Sequence, residues 1–290
     1  MFRIAATADL HFGSRHADGD AATLALAADL FADPPDLLVL AGDIGAGDEF
    51  QRCLDLFAEL PCQKALVPGN HDIWVRPEDP RGDSLVVYRE HLPRVAASRG
   101  FHYLDREPLI LPDVGLAVVG SINWYDYTWA LDRLPHQADD WQDRLLTKRF
   151  LRGRHNDANF VRWQRTDIQF TKEVVAALAT HLRQAWKWVP AALVVTHHPS
   201  FRGLNYPKPE PLSLDGLLWE AFSGNAALER LLVENGERIP LAICGHTHCA
   251  REGRLGSTRG INIGGDYHFK ELLRIDWPSG QVRHTQFGQS

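Results

Sequence analysis

Five short motifs rich in Asp, Asn and His constrain the fold of this chain more than any other feature. In chain order they are Asp9-Leu10-His11, Gly42-Asp43, Gly69-Asn70-His71-Asp72, His197-His198 and Gly245-His246-Thr247-His248. Each motif follows a short apolar run that is typical of a buried β-strand. In open α/β sheets, ligands bind at the carboxyl ends of the strands. We therefore expect side chains that are far apart in the sequence to converge at one edge of the fold.

Apolar runs and amphipathic segments alternate in the first third of the chain. We predict strands at 3–7, 37–41 and 64–67, and helices at 20–31, from residue 48 onward and at 84–98. Strands that alternate with helices favour a largely parallel sheet with helices packed outside it.

The rest of the chain has a different pattern. We predict strands at 109–111, 116–119, 192–196, 241–244, 260–263, 272–276 and 281–286, with helices at 166–188 and 225–235. The last strands follow one another without helices, which predicts a second, more antiparallel sheet. Segment 121–165 is irregular, aromatic and basic, and we interpret it as a lid or a wall of a pocket. No linker interrupts the chain, so we expect 1–290 to form a single domain.

The residue types in the five motifs are metal ligands. Carboxylate, amide and imidazole groups suit Mn²⁺, Fe and Zn²⁺. Two motifs hold candidate ligands with one residue between them, so that in an extended segment both members point the same way: Asp9 with His11, and His246 with His248. Asp43 and Asn70 each follow a glycine, which allows a tight turn close to a ligand.

These ligands can support a reaction at phosphorus. A carboxylate such as Asp43 has two oxygens and can bridge two cations, which clamp a phosphate between them and supply a hydroxide nucleophile. His71, beside Asn70, is placed to protonate the leaving oxygen, and we expect Asp72 to orient the His71 ring.

Taken together and in this order, the five motifs resemble the calcineurin-like metallophosphoesterase family along the whole chain. The resemblance implies an α/β fold, a four-layer α/β/β/α sandwich of two mixed sheets. It implies His71 as general acid or transition-state stabiliser. It also implies two metal sites that share one carboxylate, the first held by Asp9, His11, Asp43 and His248 and the second by Asp43, Asn70, His197 and His246.

Three further stretches resemble a bacterial and phage branch of the same family: Trp124-Tyr125-Asp126, Asn156-Asp157 and Thr196-His197-His198-Pro199. The resulting hypothesis is a phosphoesterase with two divalent metal ions, Mn²⁺ before Fe or Zn²⁺, that hydrolyses P–O bonds with a metal-bridged hydroxide. We favour a phosphodiesterase acting on a small or nucleotide-like phosphoester.

Two alternatives remain open at this point. A nuclease of the same family would use the basic segment 144–165, but a net charge of −6 makes nucleic acid a less favoured partner. A protein-binding scaffold that has lost its ligands is a different class, and the complete ligand set argues against it.

Most candidate substrate contacts lie outside the five motifs, and His198 belongs to one of them. We predict five of them: Trp124, Tyr125, Arg149, His198 and Arg202. For each, a plain structural role competes with this prediction. The aromatic residues can fill the core, the basic run can form a solvated face, and His198 can be a hydrogen-bonded structural histidine.

The sequence also indicates where the protein is found. We see neither a signal peptide at the first residues nor an apolar run of about 20 residues, the length that a membrane span needs. We therefore expect a cytoplasmic protein without a membrane partner. The natural substrate, the metal and the oligomeric state are left open.

Overall fold

The computed structural model describes residues 1–289, which form twelve β-strands and nine α-helices. The strands are β1 (Phe2–Thr7), β2 (Leu37–Ala41), β3 (Gln63–Val67), β4 (Phe101–Tyr103), β5 (Leu109–Leu111), β6 (Leu116–Ser121), β7 (Ala191–Thr196), β8 (Leu241–Cys244), β9 (Arg251–Leu255), β10 (Thr258–Asn262), β11 (Lys270–Trp277) and β12 (Gln281–Phe287). The helices are α1 (Ala17–Ala32), α2 (Glu49–Asp55), α3 (Ser84–Val86), α4 (Leu92–Ser98), α5 (Trp141–Thr147), α6 (Asp157–Phe160), α7 (Asp167–Ala185), α8 (Leu214–Ala221) and α9 (Ala226–Asn235). None of the helices in 1–289 combines the length and the apolar composition needed to cross a membrane.

The strands form two six-stranded sheets. The first has the order β12-β11-β1-β2-β3-β4, and the second has the order β5-β6-β7-β8-β10-β9. In the first sheet β1 to β4 run parallel, while β11 and β12 are antiparallel to their neighbours. In the second sheet β6, β7, β8 and β10 run parallel, and β5 and β9 are antiparallel edge strands. Both sheets are therefore mixed, as predicted.

Helices cover the outer faces of the two sheets, which pack against each other. Along β2, Val39 belongs to the apolar layer between the sheets, while Leu40 packs with residues of α1 and α2. Along β6, Val118 joins the layer between the sheets and Val119 packs with residues of α7 and α9. Strands that are buried on both faces have continuous apolar sequences. The four-layer α/β/β/α sandwich is confirmed.

The sequence pattern locates most elements but misses several short ones. β4, β9, α5, α6 and α8 were not predicted. β9 is an edge strand whose sequence, Arg-Glu-Gly-Arg-Leu, is mostly polar because only part of it is buried. α8 carried a usable signal, since Ser213 precedes an apolar run and its hydroxyl accepts a hydrogen bond from the amide of Gly216.

A second sheet is present, but the prediction that the last strands make it the more antiparallel one is wrong, since each sheet has three parallel and two antiparallel pairings. β8 and β10 run parallel to β7 in the second sheet, whereas β11 and β12 return to the first sheet and extend it beyond β1. An apolar run specifies that a strand is buried, but it does not specify which neighbour the strand pairs with.

Candidate metal centre

All five polar motifs lie at the carboxyl ends of parallel strands. Three follow β1, β2 and β3 of the first sheet, and two follow β7 and β8 of the second sheet. Because the sheets pack face to face, these five turns meet at one end of the sandwich. The convergence expected from the sequence is therefore present.

The backbone at the candidate ligands is unusual. Five of these residues adopt positive φ angles, in the left-handed region: Asp9 at 54°, His11 at 42°, Asp43 at 51°, His246 at 74° and His248 at 55°. The extended conformation expected for the two pairs of ligands is therefore wrong, since both pairs lie in turns. A residue other than glycine in such a conformation costs about 1–3 kcal/mol and persists only where its surroundings hold it.

The first cluster of ligand atoms is formed by Asp9, His11, Asp43 and His248, whose donor atoms all lie within 4.8 Å of one another. The Nε2 atoms of His11 and His248 are 3.0 Å apart. Nε2 of His11 is 3.6 Å from Oδ2 of Asp43, and Nε2 of His248 is 3.8 Å from Oδ1 of Asp9.

The second cluster contains Asp43, His197 and His246, with the amide of Asn70 between the two histidines. Oδ1 of Asn70 lies 3.1 Å from Nε2 of His197 and 3.2 Å from Nδ1 of His246. Oδ1 of Asp43 is 3.4 Å from Nε2 of His197. Since Oδ2 of Asp43 faces the first cluster, this carboxylate contacts both clusters, one through each oxygen.

Hydrogen bonds from the backbone orient the ligands. Nδ1 of His197 is 3.0 Å from the carbonyl oxygen of Ala41, which leaves Nε2 free to face the second cluster. The amide of His246 donates to both oxygens of Asp9 at 3.0 Å. The amide of His71 donates to Oδ1 of Asp43 at 2.9 Å.

Two glycines of the motifs provide the space that the ligands need. A Cβ atom at Gly69 would lie 2.1 Å from Oδ1 of Asp43, and a Cβ atom at Gly245 would lie 2.5 Å from Oδ2 of Asp9. Neither distance is sterically possible, so any larger side chain at these positions would displace a ligand.

Burial determines most of the protonation states at the centre. It lowers the pKa values of His11 and His246 well below their usual value and that of His248 to about 4, so that these rings are neutral at pH 7. Burial alone would raise the pKa of Asp43, but His197 and His71 outweigh it and the carboxyl is ionised. The neighbouring carboxylates outweigh burial and raise the pKa of His197 to about 9, and burial raises that of Asp9 to about 8, so both groups hold a proton at pH 7. Metal ligands must be deprotonated, so a cation bound by this donor set would displace these two protons.

His71 lies beside the clusters rather than in them. Its Nε2 is 3.8 Å from Oδ2 of Asp43, and its ring stacks on Trp74 with the ring centroids 3.6 Å apart. The side chain keeps 19% of its exposure and lines a cavity. Burial lowers the pKa of His71, so its ring is neutral at pH 7 and keeps one N–H donor.

The expected contact between Asp72 and the His71 ring is replaced by backbone contacts. Oδ1 of Asp72 accepts hydrogen bonds from the amides of Ile44 and Gly45, at 2.8 and 2.9 Å, and Oδ2 accepts one from Gly69 at 2.7 Å. Asp72 thus ties the β2 turn to the β3 turn. In this position it supports the shape of the centre, while Trp74 packs against the His71 ring.

Sequence analysis missed Asp157, a buried carboxylate that connects several parts of the site. Oδ1 of Asp157 accepts hydrogen bonds from the Asn70 amide at 2.9 Å and from the Trp74 indole at 2.8 Å. Oδ2 accepts one from the Tyr125 hydroxyl at 2.9 Å. Because the Asn70 nitrogen is held by Asp157, its Oδ1 faces the ligand histidines. Sequence analysis had named Asn156-Asp157 only as a stretch that resembles a branch of the family, and had given Asp157 no role.

A cavity of about 620 Å³ opens from the clusters. One side is formed by ligands and their neighbours, including His71, Trp74 and Tyr267. Tyr267 was also missed, although it follows a pair of glycines shortly after β10, and its ring stacks on His11 with the centroids 4.3 Å apart. The remaining wall comes from segment 150–156, the loop after β7 and helix α8.

None of the five predicted substrate contacts lines this cavity within residues 1–289. Trp124 and Tyr125 are buried, and they donate hydrogen bonds to Asp167 and Asp157 respectively. His198 is also buried, with Nδ1 3.4 Å from the carbonyl oxygen of Ile122. These three side chains have the structural roles that competed with the prediction.

The two predicted arginine contacts point elsewhere as well. Arg149 forms salt bridges with Asp140 and Asp143 on the surface. Arg202 donates to the carbonyl oxygen of Trp129 at 2.6 Å. Local partners satisfy both arginines because acidic residues and free carbonyl groups are nearby, which a sequence pattern does not reveal.

Most of the basic segment is neutralised in the same way. Arg144 pairs with Asp140, Lys148 with Asp167 and Arg165 with Glu173. Within residues 1–289, Arg152, Arg154 and Arg162 form no salt bridge, and of these three Arg154 lines the cavity. Residues of 150–156 are thus the part of segment 121–165 that faces the cavity.

Comparison with known proteins adds the family. A family model described as calcineurin-like phosphoesterase matches residues 2–250. No curated protein matches the chain.

Several solved structures share the fold. A phosphopantetheinyl hydrolase from Mycobacterium tuberculosis is 20% identical, with a TM-score of 0.72 over 97% of this chain and 95% of that chain. A dimetal phosphatase from Danio rerio is 15% identical, with a TM-score of 0.53 over 100% and 99% of the two chains. A putative 5'-nucleotidase from Staphylococcus aureus is 12% identical, with a TM-score of 0.51 over 99% of this chain and 53% of that one. At these identities the likeness concerns the fold.

Proposed function

Because this chain belongs to the calcineurin-like phosphoesterase family, and is therefore a metal-dependent phosphoric ester hydrolase, we propose that it is a phosphodiesterase acting on small, nucleotide-like substrates. The observation that carries the proposal is the pair of ligand clusters that share Asp43 and open into a cavity of about 620 Å³.

The ligand set fits two divalent cations. Asp9, His11, Asp43 and His248 would hold one, and Asp43, Asn70, His197 and His246 would hold the other. When bound, the cations supply Lewis-acid charge and lower the pKa of a water molecule so that it can attack phosphorus. We propose Mn²⁺ because carboxylate and amide oxygens suit it, while the imidazoles keep Fe and Zn²⁺ as competitors.

The residues beside the clusters orient and stabilise the reacting group. The His71 ring, fixed by its stack on Trp74, presents an N–H donor to the phosphoryl or leaving oxygen. Asp157 holds the Asn70 amide, so its oxygen keeps facing the second cluster. Asp72 keeps the two turns that carry Asp43 and Asn70 together.

The size and lining of the cavity support a phosphoester with a sizeable organic group. Cavities of about 300–1,000 Å³ bind small organic ligands, and this one continues past the clusters to Trp219 and Tyr206. A substrate that fills it carries an organic group on the phosphate. The phosphopantetheinyl hydrolase with the same fold makes a phosphopantetheinyl diester a reasonable second substrate to assay.

The nuclease alternative has less support. Arg144, Lys148, Arg149 and Arg165 are paired with acids, which reduces the positive charge that the basic segment offers to a nucleic-acid backbone.

We also propose the cytoplasm as the location.

The test is a comparison of rates. The purified protein is stripped with a chelator, reloaded with Mn²⁺ and given bis(p-nitrophenyl) phosphate and p-nitrophenyl phosphate. We expect hydrolysis that depends on the metal and a higher kcat/KM for the diester. A higher kcat/KM for the monoester would make the protein a phosphatase, and hydrolysis of neither ester would argue against the proposal.

A further inference from the structure

Part of the cavity wall has no role in the chemistry described so far. We call it the outer wall and define it by six residues: Phe150, Arg154, Asn205, Tyr206, Lys208 and Trp219. They come from segment 150–156, from the loop after β7 and from α8, so none belongs to the five ligand motifs. The side chains of this wall show which group it is suited to bind.

The outer wall offers an aromatic surface. Trp219, on α8, is 46% exposed. Its ring stacks on Phe150 with the centroids 5.1 Å apart and the planes 27° apart, and His155 packs against it edge-on at 5.3 Å. Tyr206, nearby on the same wall, is 56% exposed. An indole that is fixed on one side and open on the other can stack on a flat ring.

Asn205 supplies a hydrogen-bond donor without a partner. The residue is only 4% exposed, and its Oδ1 accepts the amide of Tyr206 at 2.8 Å, which fixes the orientation of the side-chain amide. Its Nδ2 is buried and has no hydrogen-bond partner among the described residues. Leaving such a donor unsatisfied is unfavourable, because it has lost its hydrogen bonds to water and gained none in the protein. A ligand that presents an acceptor here would recover that free energy.

Lys208 and Arg154 add positive charge. Nζ of Lys208 donates to the carbonyl oxygen of Gly216 at 3.2 Å, and Nε of Arg154 donates to the carbonyl oxygen of Thr147 at 3.0 Å. Neither forms a salt bridge with an acid in the part of the chain that the structure describes, unlike Arg149. The acid of this region, Asp215, is held by the amide of Leu151 at 2.8 Å. Burial lowers the pKa of Lys208 to about 8, so it is still a cation at pH 7.

We infer that the outer wall binds the organic part of the substrate, with a flat heteroaromatic ring on Trp219, an acceptor at Nδ2 of Asn205 and a second anionic group at Lys208 and Arg154. The substrate class is a nucleotide-like phosphodiester with a phosphate or carboxylate remote from the scissile ester. This inference rests on the proposed function for the hydrolytic step only. Binding of the remote anion is a separate property of the outer wall.

A matched pair of substrates tests the remote anion. One is the 5'-(p-nitrophenyl phosphate) diester of thymidine, and the other is the same diester with a phosphate on the 3' oxygen. Charge-assisted hydrogen bonds correspond to about tenfold or more in affinity, so we expect the Mn²⁺-loaded protein to show a KM about tenfold lower for the second compound. In Lys208→Gln this preference should fall towards one, whereas the exposed Lys187→Gln should keep it. Equal KM values in the unaltered protein would overturn the inference.

A binding measurement keeps the inference independent of turnover. Calorimetry on the Mn²⁺-loaded protein compares thymidine 3',5'-bisphosphate with thymidine 5'-monophosphate. We expect the bisphosphate to bind about tenfold more tightly, and Lys208→Gln to remove the difference. If the bisphosphate binds more tightly, and Lys208→Gln removes the difference, but no diester is hydrolysed, the inference about the outer wall is supported and the proposed function is contradicted. If diesters are hydrolysed but the two ligands bind equally, the inference fails and the proposed function stands.

A substitution of Trp219 tests the stacking role of the aromatic surface on the outer wall. Stacking of a base on an aromatic side chain corresponds to about 1–3 kcal/mol, so Trp219→Leu should raise the Kd of both thymidine nucleotides about tenfold. Trp188→Leu, which alters an exposed tryptophan outside the cavity, should leave both Kd values unchanged. An unchanged Kd in Trp219→Leu would overturn the stacking role.

Discussion

At the scale of the residue, most of the candidate metal ligands adopt a backbone conformation that is unfavourable for residues other than glycine. Five of the seven candidate ligands have left-handed backbones, each of which costs about 1–3 kcal/mol. Hydrogen bonds such as that from the amide of His246 to Asp9, and the close approach of Gly69 and Gly245 to carboxylates, maintain these turns. The chain's own contacts therefore hold the donor atoms in position.

His71 is the residue whose role can be separated most cleanly from metal binding. Its ring lies outside the two clusters and lines the cavity. We expect His71→Ala to keep both metals and to lower kcat by about 10²–10³-fold, the range for one lost hydrogen-bond donor to the transition state. Metal content and rates on the chromogenic ester measure the two effects. The exposed His136→Ala is the control, and full activity in His71→Ala would remove this ring from the mechanism.

Asp43 should be the residue on which both metals depend. Its oxygens face different clusters, with Oδ1 3.4 Å from His197 and Oδ2 3.6 Å from His11. Asp43→Asn replaces one of these oxygens by an amide nitrogen, which has no lone pair available to bind a cation. We expect the affinity for both metals to fall by more than about 100-fold, beyond the loss seen when only an outer partner is removed. Calorimetric titration with Mn²⁺ measures this, and two tightly bound metals in the variant would contradict the bridging role.

At the scale of the element, one short helix connects the irregular middle segment to the centre. Asp157, at the start of α6, is the shared acceptor for Asn70, Trp74 and Tyr125. The segment before α6 also contributes Phe150, Arg154 and His155 to the cavity wall. The same stretch of chain therefore fixes a candidate ligand and shapes the substrate cavity.

Asp157→Asn tests this connection. The variant keeps the size of the side chain but offers one acceptor oxygen instead of two, so the Asn70 amide, the Trp74 indole and the Tyr125 hydroxyl cannot all be satisfied. Loss of such an outer partner typically costs about 10–100-fold in metal affinity or activity, and we expect a loss of this size at the second cluster.

A matched control separates positioning from folding. Asp167 is also buried and accepts hydrogen bonds from Trp124, Tyr127 and Lys148, but it contacts no candidate ligand. Asp167→Asn should lower the free energy of unfolding without weakening Mn²⁺ binding. An equal effect of both variants on Mn²⁺ affinity would show that Asp157 acts through the fold alone.

At the scale of the whole molecule, the candidate ligands come from both sheets. Asp9, His11, Asp43 and Asn70 follow strands of the first sheet, and the three remaining histidines follow strands of the second. Each cluster draws on both sheets, so each bound cation would join them. Metal binding should therefore stabilise the sandwich as well as activate it.

Chelation gives the corresponding prediction. A ligand present at 100 times its Kd stabilises the folded state by about 2.7 kcal/mol, which corresponds to about 4 °C in Tm for a chain of this size. We expect differential scanning calorimetry to show a Tm lower by this amount after treatment with a chelator, and recovery with Mn²⁺. Asp43→Asn should lack most of the shift. An equal shift in that variant would indicate that the metal stabilises the fold at another place.

The sequence by itself determined the local parts of this protein. Apolar runs of four to eight residues specify buried strands, and a polar residue directly after such a run is carried to the end of the sheet. For this reason the strands and the convergence of the polar motifs from Asp9 to His248 were predictable from the residues. The four-layer fold and the division of the ligands between two metals were expected only from the resemblance to the family. The pairing of β11 with β1 was not predictable, because an apolar run does not specify which strand it pairs with.

Only the tertiary structure decided which other residues face the centre. Asp157 contacts Asn70 across 87 positions of the chain, and no local pattern reports a contact of that separation. Trp and Arg are residue types that often contact substrates. Here, however, Trp124 is buried beside Asp167, and Arg149 is paired with Asp143. Trp219 and Lys208 carried no motif and became the cavity wall because α8 and the loop after β7 pack there. Side-chain direction and the identity of distant partners are set by packing, which the one-dimensional pattern does not contain.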